Sequence, residues 1–482
     1  MYFCAFKKNL FMQTYNEPIE DVKRFEQMEN GDSEYYFDVE SIENIFDFYA
    51  ENDQIDKAER VLKFGCKLHP NSIPLLLKKT FILIEKDEDE KAIKILEKLL
   101  KFENNNIDLF FYLGWAYFKI GKNQKALSYF RKALIYAYED EKEEITLDIA
   151  FMLNHLEQYF YAIEILEEAY EKYPKNDDFL FELAYAYDKE DMTEKSFSLY
   201  RKLLKNDPFC ENAWNNIGIL HFKKNKFKKA LKCYNYALAI DSSNAEAWFN
   251  KGNALMNLGE ARKAFDCYIE YISYGNFDAI AFYYIADCLE QMGLDDLATR
   301  FFDLTVKTNP ANINAWEDYI IYLMDKKLVK KALEKTAEAL LVTGLFPDFI
   351  YLRARVYILA NNYESALHWL AKCVNIDPEN VRNVAEWYQV KKELCPNKDS
   401  LSLLNEWYKK YPGSSALKYA SAAIAILELK NFKLAGIYLE EALFKASEYF
   451  EDFLDCFSIP DEYIFENPIL VPIIEKYIEF ET

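Results

Sequence analysis

The chain has 482 residues, of which 51% are hydrophobic, and it carries a formal net charge of −22. Such an excess of acid is repelled by phosphate backbones and anionic membrane surfaces, which argues against a nucleic acid or a membrane as the main partner. The sequence also lacks any run of about 20 apolar residues, the length that crosses a bilayer.

The first 38 residues precede the regular part of the chain. The opening MYFCAFKK places apolar residues before lysines, which is the reverse order of a secretory signal peptide. We expect residues 1–20 to be loosely ordered. In Asp21–Asn30, the apolar residues Val22, Phe25 and Met28 recur at helical spacing. This spacing predicts a short amphipathic helix that caps the repeats which follow.

From residue 39 onward, a small residue recurs every 34 residues, with one interval of 36. The members of this column are Ala58, Ala92, Ala126, Ala162, Ser196, Ala230, Ala264, Ala298, Ala332 and Ala366. A period of this length is typical of helix pairs stacked into a solenoid. We number each unit from 1 to 34 with the small residue at position 20, so that the units begin at residues 39, 73, 107, 143, 177, 211, 245, 279, 313 and 347.

Other positions of the unit are equally regular. Position 4 is often tryptophan, position 8 is small in most units, position 24 is bulky, and position 32 is often proline. Positions 4, 7, 8 and 11 share one face of a first helix, and positions 20, 24 and 27 share one face of a second. Small residues at positions 8 and 20 allow the two backbones to approach closely, and proline ends the unit. We therefore predict about 24 repeat helices.

The pattern weakens toward the carboxyl end. Two degenerate units are predicted over 381–414 and 416–449, so that the array spans 39–449, with clear repeats over 39–380. Residues 450–482 leave the pattern. Asn467 followed by Pro468 resembles a helix start, and Ile469, Ile473, Ile474 and Tyr477 follow at helical spacing. We expect a final helix here that covers the last repeat.

The unit that begins at residue 211 shows the consensus most completely, with Trp214, Ile217, Gly218, Ala230, Tyr234 and Ala237 at positions 4, 7, 8, 20, 24 and 27. This pattern resembles the tetratricopeptide repeat family. The resemblance implies an all-α solenoid of about twelve repeats, a right-handed superhelix of stacked helix pairs. It also implies that the remaining stripe of each first helix lines a concave groove that holds peptide segments.

That remaining stripe, positions 2, 5, 9 and 12, is called the first-helix stripe below. Its aromatic residues predict an apolar binding surface. The candidate residues are Phe111, Trp115, Phe118, Phe151, Phe181, Tyr185, Phe249, Tyr283 and Tyr351. The alternative for any one of them is burial by the neighbouring first helix. The expected occupant is an extended or helical apolar segment of a partner protein.

The sequence offers no pattern for catalysis. The four histidines fall at different positions of separate units, and the phosphate-binding, zinc-protease and nucleophile-elbow motifs do not occur. Nine cysteines lack metal-ligand spacing, which predicts reduced thiols in the cytoplasm. We therefore expect a non-catalytic interaction scaffold that needs no metal or cofactor. The alternative is an assembly subunit that stacks through its array ends, with itself as a homo-oligomer or with other subunits.

Overall fold

The computed structural model describes residues 18–31, 34–52 and 54–478, and the regular structure within these ranges is entirely helical. The chain divides into two compact parts, an amino-terminal part up to Leu258 and a carboxyl-terminal part from Gly259. The expectation for residues 1–20 falls almost wholly outside the described residues. The all-α repeat architecture predicted from the 34-residue period is confirmed.

The amino-terminal part contains one leading helix followed by helix pairs. Its helices are α1 Pro18–Glu29, α2 Val39–Glu51, α3 Ile55–Leu68, α4 Ile73–Glu85, α5 Asp89–Leu99, α6 Ile107–Lys119, α7 Asn123–Tyr136, α8 Lys142–His155, α9 Tyr159–Lys172, α10 Asp177–Lys189, α11 Thr193–Asn206, α12 Glu211–Lys223, α13 Phe227–Ile240 and α14 Ala245–Met256. The predicted leading helix is present and begins three residues earlier than expected. Its Val22 and Phe25 are buried in the same core as α2.

The carboxyl-terminal part also consists of helix pairs and ends in short helices. Its helices are α15 Ala261–Ser273, α16 Ala279–Gln291, α17 Asp295–Thr308, α18 Ile313–Asp325, α19 Val329–Thr343, α20 Pro347–Leu359, α21 Tyr363–Ile376, α22 Val381–Leu394, α23 Ser400–Leu403, α24 Asn405–Lys410, α25 Ser415–Leu427, α26 Phe432–Ala446, α27 Phe450–Phe457, α28 Asp461–Ile464 and α29 Val471–Ile474. A 3-10 turn, Ser447–Tyr449, joins α26 to α27.

Recurrent polar residues set where each helix pair starts and turns. The residue before position 1 caps most first helices; Asn106 and Asn244, for example, accept the backbone N–H groups of Leu109 and Ala247 at 3.0 and 2.9 Å. Position 15, between the two helices, adopts a positive φ in unit after unit. This residue is glycine at Gly121 and Gly293, with φ of 74° and 70°, because glycine adopts this conformation without steric cost.

The contact between paired helices is as the small-residue columns predict. All ten residues at position 20 are fully buried. At position 8, a Cβ placed on Gly218 would lie 2.4 Å from Cε1 of Tyr234, the residue at position 24. The small residue of the first helix therefore makes room for the ring of the second, and the predicted role of positions 8 and 20 in close packing is confirmed.

The tryptophans at position 4 fix the loop that enters each unit. The indole N–H of Trp214 donates to the carbonyl of Pro208 at 2.9 Å, and that of Trp316 donates to the carbonyl of Pro310 at 3.0 Å. Both prolines are at position 32 of the preceding unit. The proline that stops one helix pair is thus hydrogen-bonded to the first helix of the next.

The carboxyl end differs from the expected single capping helix. The second helix of the 381–414 unit is broken at Leu404 into α23 and α24. The described residues 450–478 form three short helices, and within them the segment predicted as one helix forms only the four-residue α29. Asn467 accepts the N–H of Ile469 in the turn before α29, but the residue that precedes α29 is Leu470, so Asn467 is not the helix cap that the sequence predicts. Of the spaced residues, only Ile474 is buried, and Ile469 is exposed. Pro472 lacks the N–H that a continued helix would need.

Candidate partner-binding surface

Three of the predicted surface residues lie in the core. Phe111, Trp115 and Phe118 are each only 4% exposed, so the expectation that they line an accessible surface is wrong. The ring of Trp115 contacts those of Phe81 and Tyr112, with centroids 5.8 and 6.2 Å away. Phe81 is at position 9 of the preceding unit, as Trp115 is in its own. Large rings at the same position of adjacent first helices bury each other.

Phe118 is covered by its own repeat and by the following one. Its ring stacks on Phe130 of the same repeat at 5.8 Å and meets Tyr161 of α9 edge-on at 5.5 Å. Phe111 also contacts Phe130 at 5.8 Å. Trp115 and Phe118 therefore join neighbouring repeats, Phe111 packs within its own repeat, and the burial of all three keeps them from a partner.

The next part of the first-helix stripe, around Phe151, Phe181 and Tyr185, is less buried and is called the open part below. Phe151 on α8 and both Phe181 and Tyr185 on α10 are half-buried. They line a pocket of about 110 Å³ together with Asn154, His155, Glu157, Tyr159 and Glu182. Position 12 carries Phe118 in α6 but the smaller Asn154 in α8, and Asn154 leaves room for the pocket.

Asn154 and Glu182 form the polar part of this pocket. The side-chain amide of Asn154 donates from Nδ2 to Oε2 of Glu182 at 2.7 Å and to the Glu182 carbonyl at 3.3 Å. These two acceptors fix the orientation of the amide. Asn154 Oδ1 is buried, and no hydrogen bond to it forms within the described part of the chain.

The Glu182 carboxyl is held in a poorly solvated place. Burial raises its pKa to about 7; the hydrogen bond from Asn154 opposes this rise, and the negative charge of Asp178 adds to it. No lysine or arginine of the described residues forms an ion pair with Glu182.

Further acidic side chains lie along the first helices of this region. Asp148, at position 6 of α8, is buried, and burial raises its pKa to about 7, with the charges of Glu144 and Asp108 adding to the rise. Asp108, Glu144 and Asp178 all occupy position 2. The open part of the stripe therefore combines aromatic rings with negative charge.

The remaining predicted residues are also half-buried, and two are hydrogen-bonded to the following repeat. The hydroxyl of Tyr283 donates to Oδ2 of Asp318 at 3.0 Å, and that of Tyr351 donates to Oε1 of Glu386 at 2.6 Å. In each pair a position 5 hydroxyl meets a position 6 carboxylate 35 residues later. Phe249 is half-buried on α14.

Position 6 is the position that sequence reasoning missed, because its polar residues bond to adjacent first helices and one of them, Glu182, lines the pocket. It carries polar residues in most units, among them Lys78, Asp148, Glu182, Asn216, Asn250, Asp318 and Glu386. Asn250 donates to Asn215 at 3.2 Å, and Lys78 pairs with Asp47 at 2.6 Å. The 34-residue recurrence of polar residues on an otherwise apolar helix was the available signal.

In the carboxyl-terminal part, a later segment of the chain covers two first helices. Helix α27 packs against α22 and α25. Phe453 lies 5.1 Å from the ring of Tyr419, the fifth residue of α25, which is the place Tyr351 takes in α20. Gln389, at position 9 of α22, donates to the carbonyl of Cys456 at 3.1 Å. A short helix with aromatic anchors thus occupies the stripe of these two repeats.

The described residues contain no cluster of three or more histidine, cysteine or acidic side chains placed to hold a metal ion. Their cysteines form no disulfide. Within the same ranges, every helix is too short or too polar to cross a membrane.

Comparison with known protein families agrees with the repeat. Tetratricopeptide repeat models match residues 19–151, 178–209, 245–274 and 347–380, and a TPR repeat model matches 218–259. Together these ranges cover more than half of the chain. No curated protein matches the sequence.

Solved structures of tetratricopeptide repeat proteins are similar over part of the chain. The chain is 23% identical to YrrB, described as a TPR protein with an unusual peptide-binding site, over 38% of this chain and 95% of that one, with a TM-score of 0.33. It is 22% identical to MamA over 36% of this chain and 93% of that one, with a TM-score of 0.32. It is 14% identical to pilF of Pseudomonas aeruginosa over 53% and 98%, with a TM-score of 0.35.

The helix pairs, the position 20 column and the family matches define an α-helical repeat protein of the protein-interaction class. The chain belongs to the tetratricopeptide repeat family. Members of this family are generally non-catalytic scaffolds whose partners are proteins or peptide segments.

Proposed function

We propose that the chain is a scaffold that binds a segment of a partner protein along the open part of its first-helix stripe, around Phe151, Phe181 and Tyr185. Half-buried aromatic rings on a rigid helical surface are the type of residue in which interface energy concentrates. The partner segment lies across α8 and α10 and covers these rings.

The observation that carries this proposal is the position of α27. The chain's own helix lies on the equivalent surface of α22 and α25, with Phe453 packed against Tyr419. An amphipathic helix seated by its apolar face is an established mode of peptide recognition. The stripe at α22 and α25 is therefore covered by such a helix, and the stripe at α8 and α10 carries half-buried aromatic rings of the same kind.

A double substitution tests the proposal. Phe151→Ala together with Tyr185→Ala should reduce partner capture at least about tenfold, because each lost aromatic anchor typically costs about 2 kcal/mol or more. The measurement is quantitative affinity capture with the full chain as bait, followed by mass spectrometry. Circular dichroism should show unchanged helix content, since both rings are half-buried at a surface.

The matched control is Phe160→Ala with Tyr236→Ala. These rings are 68% and 55% exposed and lie on the second helices α9 and α13 of the amino-terminal part. The control should capture the wild-type set of partners. Equal loss in both double variants, or no loss in either, would contradict binding at the first-helix stripe. Stacking through the array ends, the alternative function, stays a prediction, as does the cytoplasmic location.

A further inference from the structure

The pocket between α8 and α10 has a chemistry that an apolar side chain does not satisfy. It is lined by the rings of Phe151, Tyr159, Phe181 and Tyr185 and by the polar side chains of Asn154, His155, Glu157 and Glu182. An apolar group seated there would leave a carboxyl and an amide oxygen without partners, and buried polar groups without partners are costly.

We propose that this pocket receives the ammonium group of a lysine side chain from the partner segment. This inference rests on the proposed function and names the residue type that the segment places between α8 and α10.

The acceptors of the pocket match an ammonium group. Asn154 is 5% exposed and lines the pocket, yet its Oδ1 accepts no hydrogen bond from the described residues. The carboxyl group of Glu182 receives one hydrogen bond from the described residues, from Asn154 to Oε2, and forms no ion pair with a cation of these residues. An ammonium group has three donors and no acceptor, so it supplies what both oxygens lack.

The aromatic rings also favour a cation over a neutral group. The faces of aromatic rings attract cations, most strongly where water is excluded. Within the chain, Nζ of Lys189 already lies 5.2 Å from the centre of the Tyr185 ring, and Tyr159 meets that ring edge-on at 6.3 Å.

The charges around the pocket and the number of hydrogen-bond donors narrow the choice of ligand further. The carboxylates of Glu182 and Asp178 repel an anionic ligand, and the net charge of −22 favours a basic partner at long range. The ammonium group of lysine is a compact charge with three donors, whereas the planar guanidinium of arginine has five, so the oxygens of Asn154 and Glu182 suit the ammonium group better.

The test is a nuclear magnetic resonance titration of the full chain labelled with 15N-asparagine. The probes are Nα-acetyl-lysine methylamide and its uncharged isostere, Nα-acetyl-norleucine methylamide. The side-chain amide signal of Asn154, assigned by its loss in Asn154→Ser, should shift and saturate with the lysine compound and not with norleucine. Equal binding of norleucine would overturn the proposal, as would tighter binding of the matching arginine compound.

A charge-removing variant adds an independent arm. Glu182→Gln keeps the size of the side chain and should weaken lysine binding by at least about tenfold, because it removes a charge-assisted hydrogen bond. The matched control is Glu190→Gln, at the exposed end of the same helix, which should bind as the wild type does. Unchanged lysine binding in Glu182→Gln would overturn the proposal, and the norleucine comparison needs no variant to fold.

The result is separable from that of the proposed function. If partners are captured through Phe151 and Tyr185 while the lysine compound does not bind, the scaffold stands and the lysine pocket falls. If partner capture does not depend on these rings but the lysine compound binds at Asn154, the pocket stands and the proposed groove falls.

Discussion

The ring of Phe130 occupies the space that a side chain on Gly114 would need, since a Cβ there would lie 2.3 Å from Phe130 Cε1. The relationship recurs in Gly218 and Tyr234, 104 residues later. It links position 8 of a first helix to position 24 of the second helix of the pair, so a small residue at position 8 admits a large ring at position 24.

Gly114→Ala should therefore destabilise the amino-terminal part by about 1–3 kcal/mol, because the rigid ring of Phe130 is enclosed and overpacking forces the helices apart. Thermal unfolding followed by circular dichroism measures the effect. Gly413→Ala is the control, because a Cβ there meets open space and its φ is not positive. A melting temperature unchanged in Gly114→Ala would contradict the packing described here.

Ala230→Leu tests the position 20 column. Ala230 is fully buried beside Tyr234 and Ala254, and a leucine should destabilise by about 1–3 kcal/mol. Because each repeat depends on its neighbours, the loss should spread to adjacent repeats as faster hydrogen exchange. Lys228→Leu adds the same side chain at an exposed site of the same helix and should leave stability nearly unchanged. Similar melting temperatures for both variants would show that the register is misplaced.

The sequence was sufficient for the repeat because each column has a purely local cause. Ala230 and Gly218 are small in order to admit a neighbouring helix, and that requirement is visible as a 34-residue recurrence. The capping asparagines and the positive-φ residue at position 15 follow the same period. The fold class, the helix pairs and their register could therefore be predicted.

The candidate surface could be predicted only in part, because exposure depends on the residue at the same position of the next repeat. Trp115 is buried since Phe81 precedes it, whereas Phe151 borders a pocket since Asn154 replaces the phenylalanine found at Phe118. The burial of Trp115 depends on a side chain of another repeat, so a pattern read within one repeat does not contain it. The packing of α27 on α22 and α25 could not be predicted either, since it depends on contacts between helices that are separate in sequence.

Asp148 should make stability depend on pH. Burial raises its pKa from 3.8 to about 7, with Glu144 and Asp108 adding to the rise, so between these values the folded state holds a proton that the unfolded state has lost. The free energy of unfolding should therefore fall as pH rises from about 4 to about 7. Asp148→Asn should reduce this fall by about 1–2 kcal/mol in urea unfolding at about pH 5 and about pH 8. An identical pH dependence in the wild type and the variant would exclude this role.

Phe453→Ala should release α27 from α22 and α25. Phe453 is fully buried against Tyr419, and loss of a buried phenylalanine typically costs about 3–5 kcal/mol, more than a short terminal helix can withstand. The measurement is the rate of Cys456 alkylation, located by mass spectrometry, which should rise. Phe444→Ala, at a ring that is 80% exposed on α26, is the control and should leave the rate unchanged. Slow alkylation of Cys456 in both variants would show that α27 does not depend on this anchor.

The most direct test of the central claim is site-specific photocrosslinking from the first-helix stripe. A benzoylphenylalanine placed at Phe151 in the full chain should crosslink to a defined segment of a partner protein, and the same group at the exposed Phe160 of α9 should not. Mass spectrometry of the crosslinked peptides identifies the segment. Crosslinks from Phe160 to the same segment, or none from Phe151 while partners are still captured, would contradict the assignment of the open stripe between α8 and α10 as the binding surface.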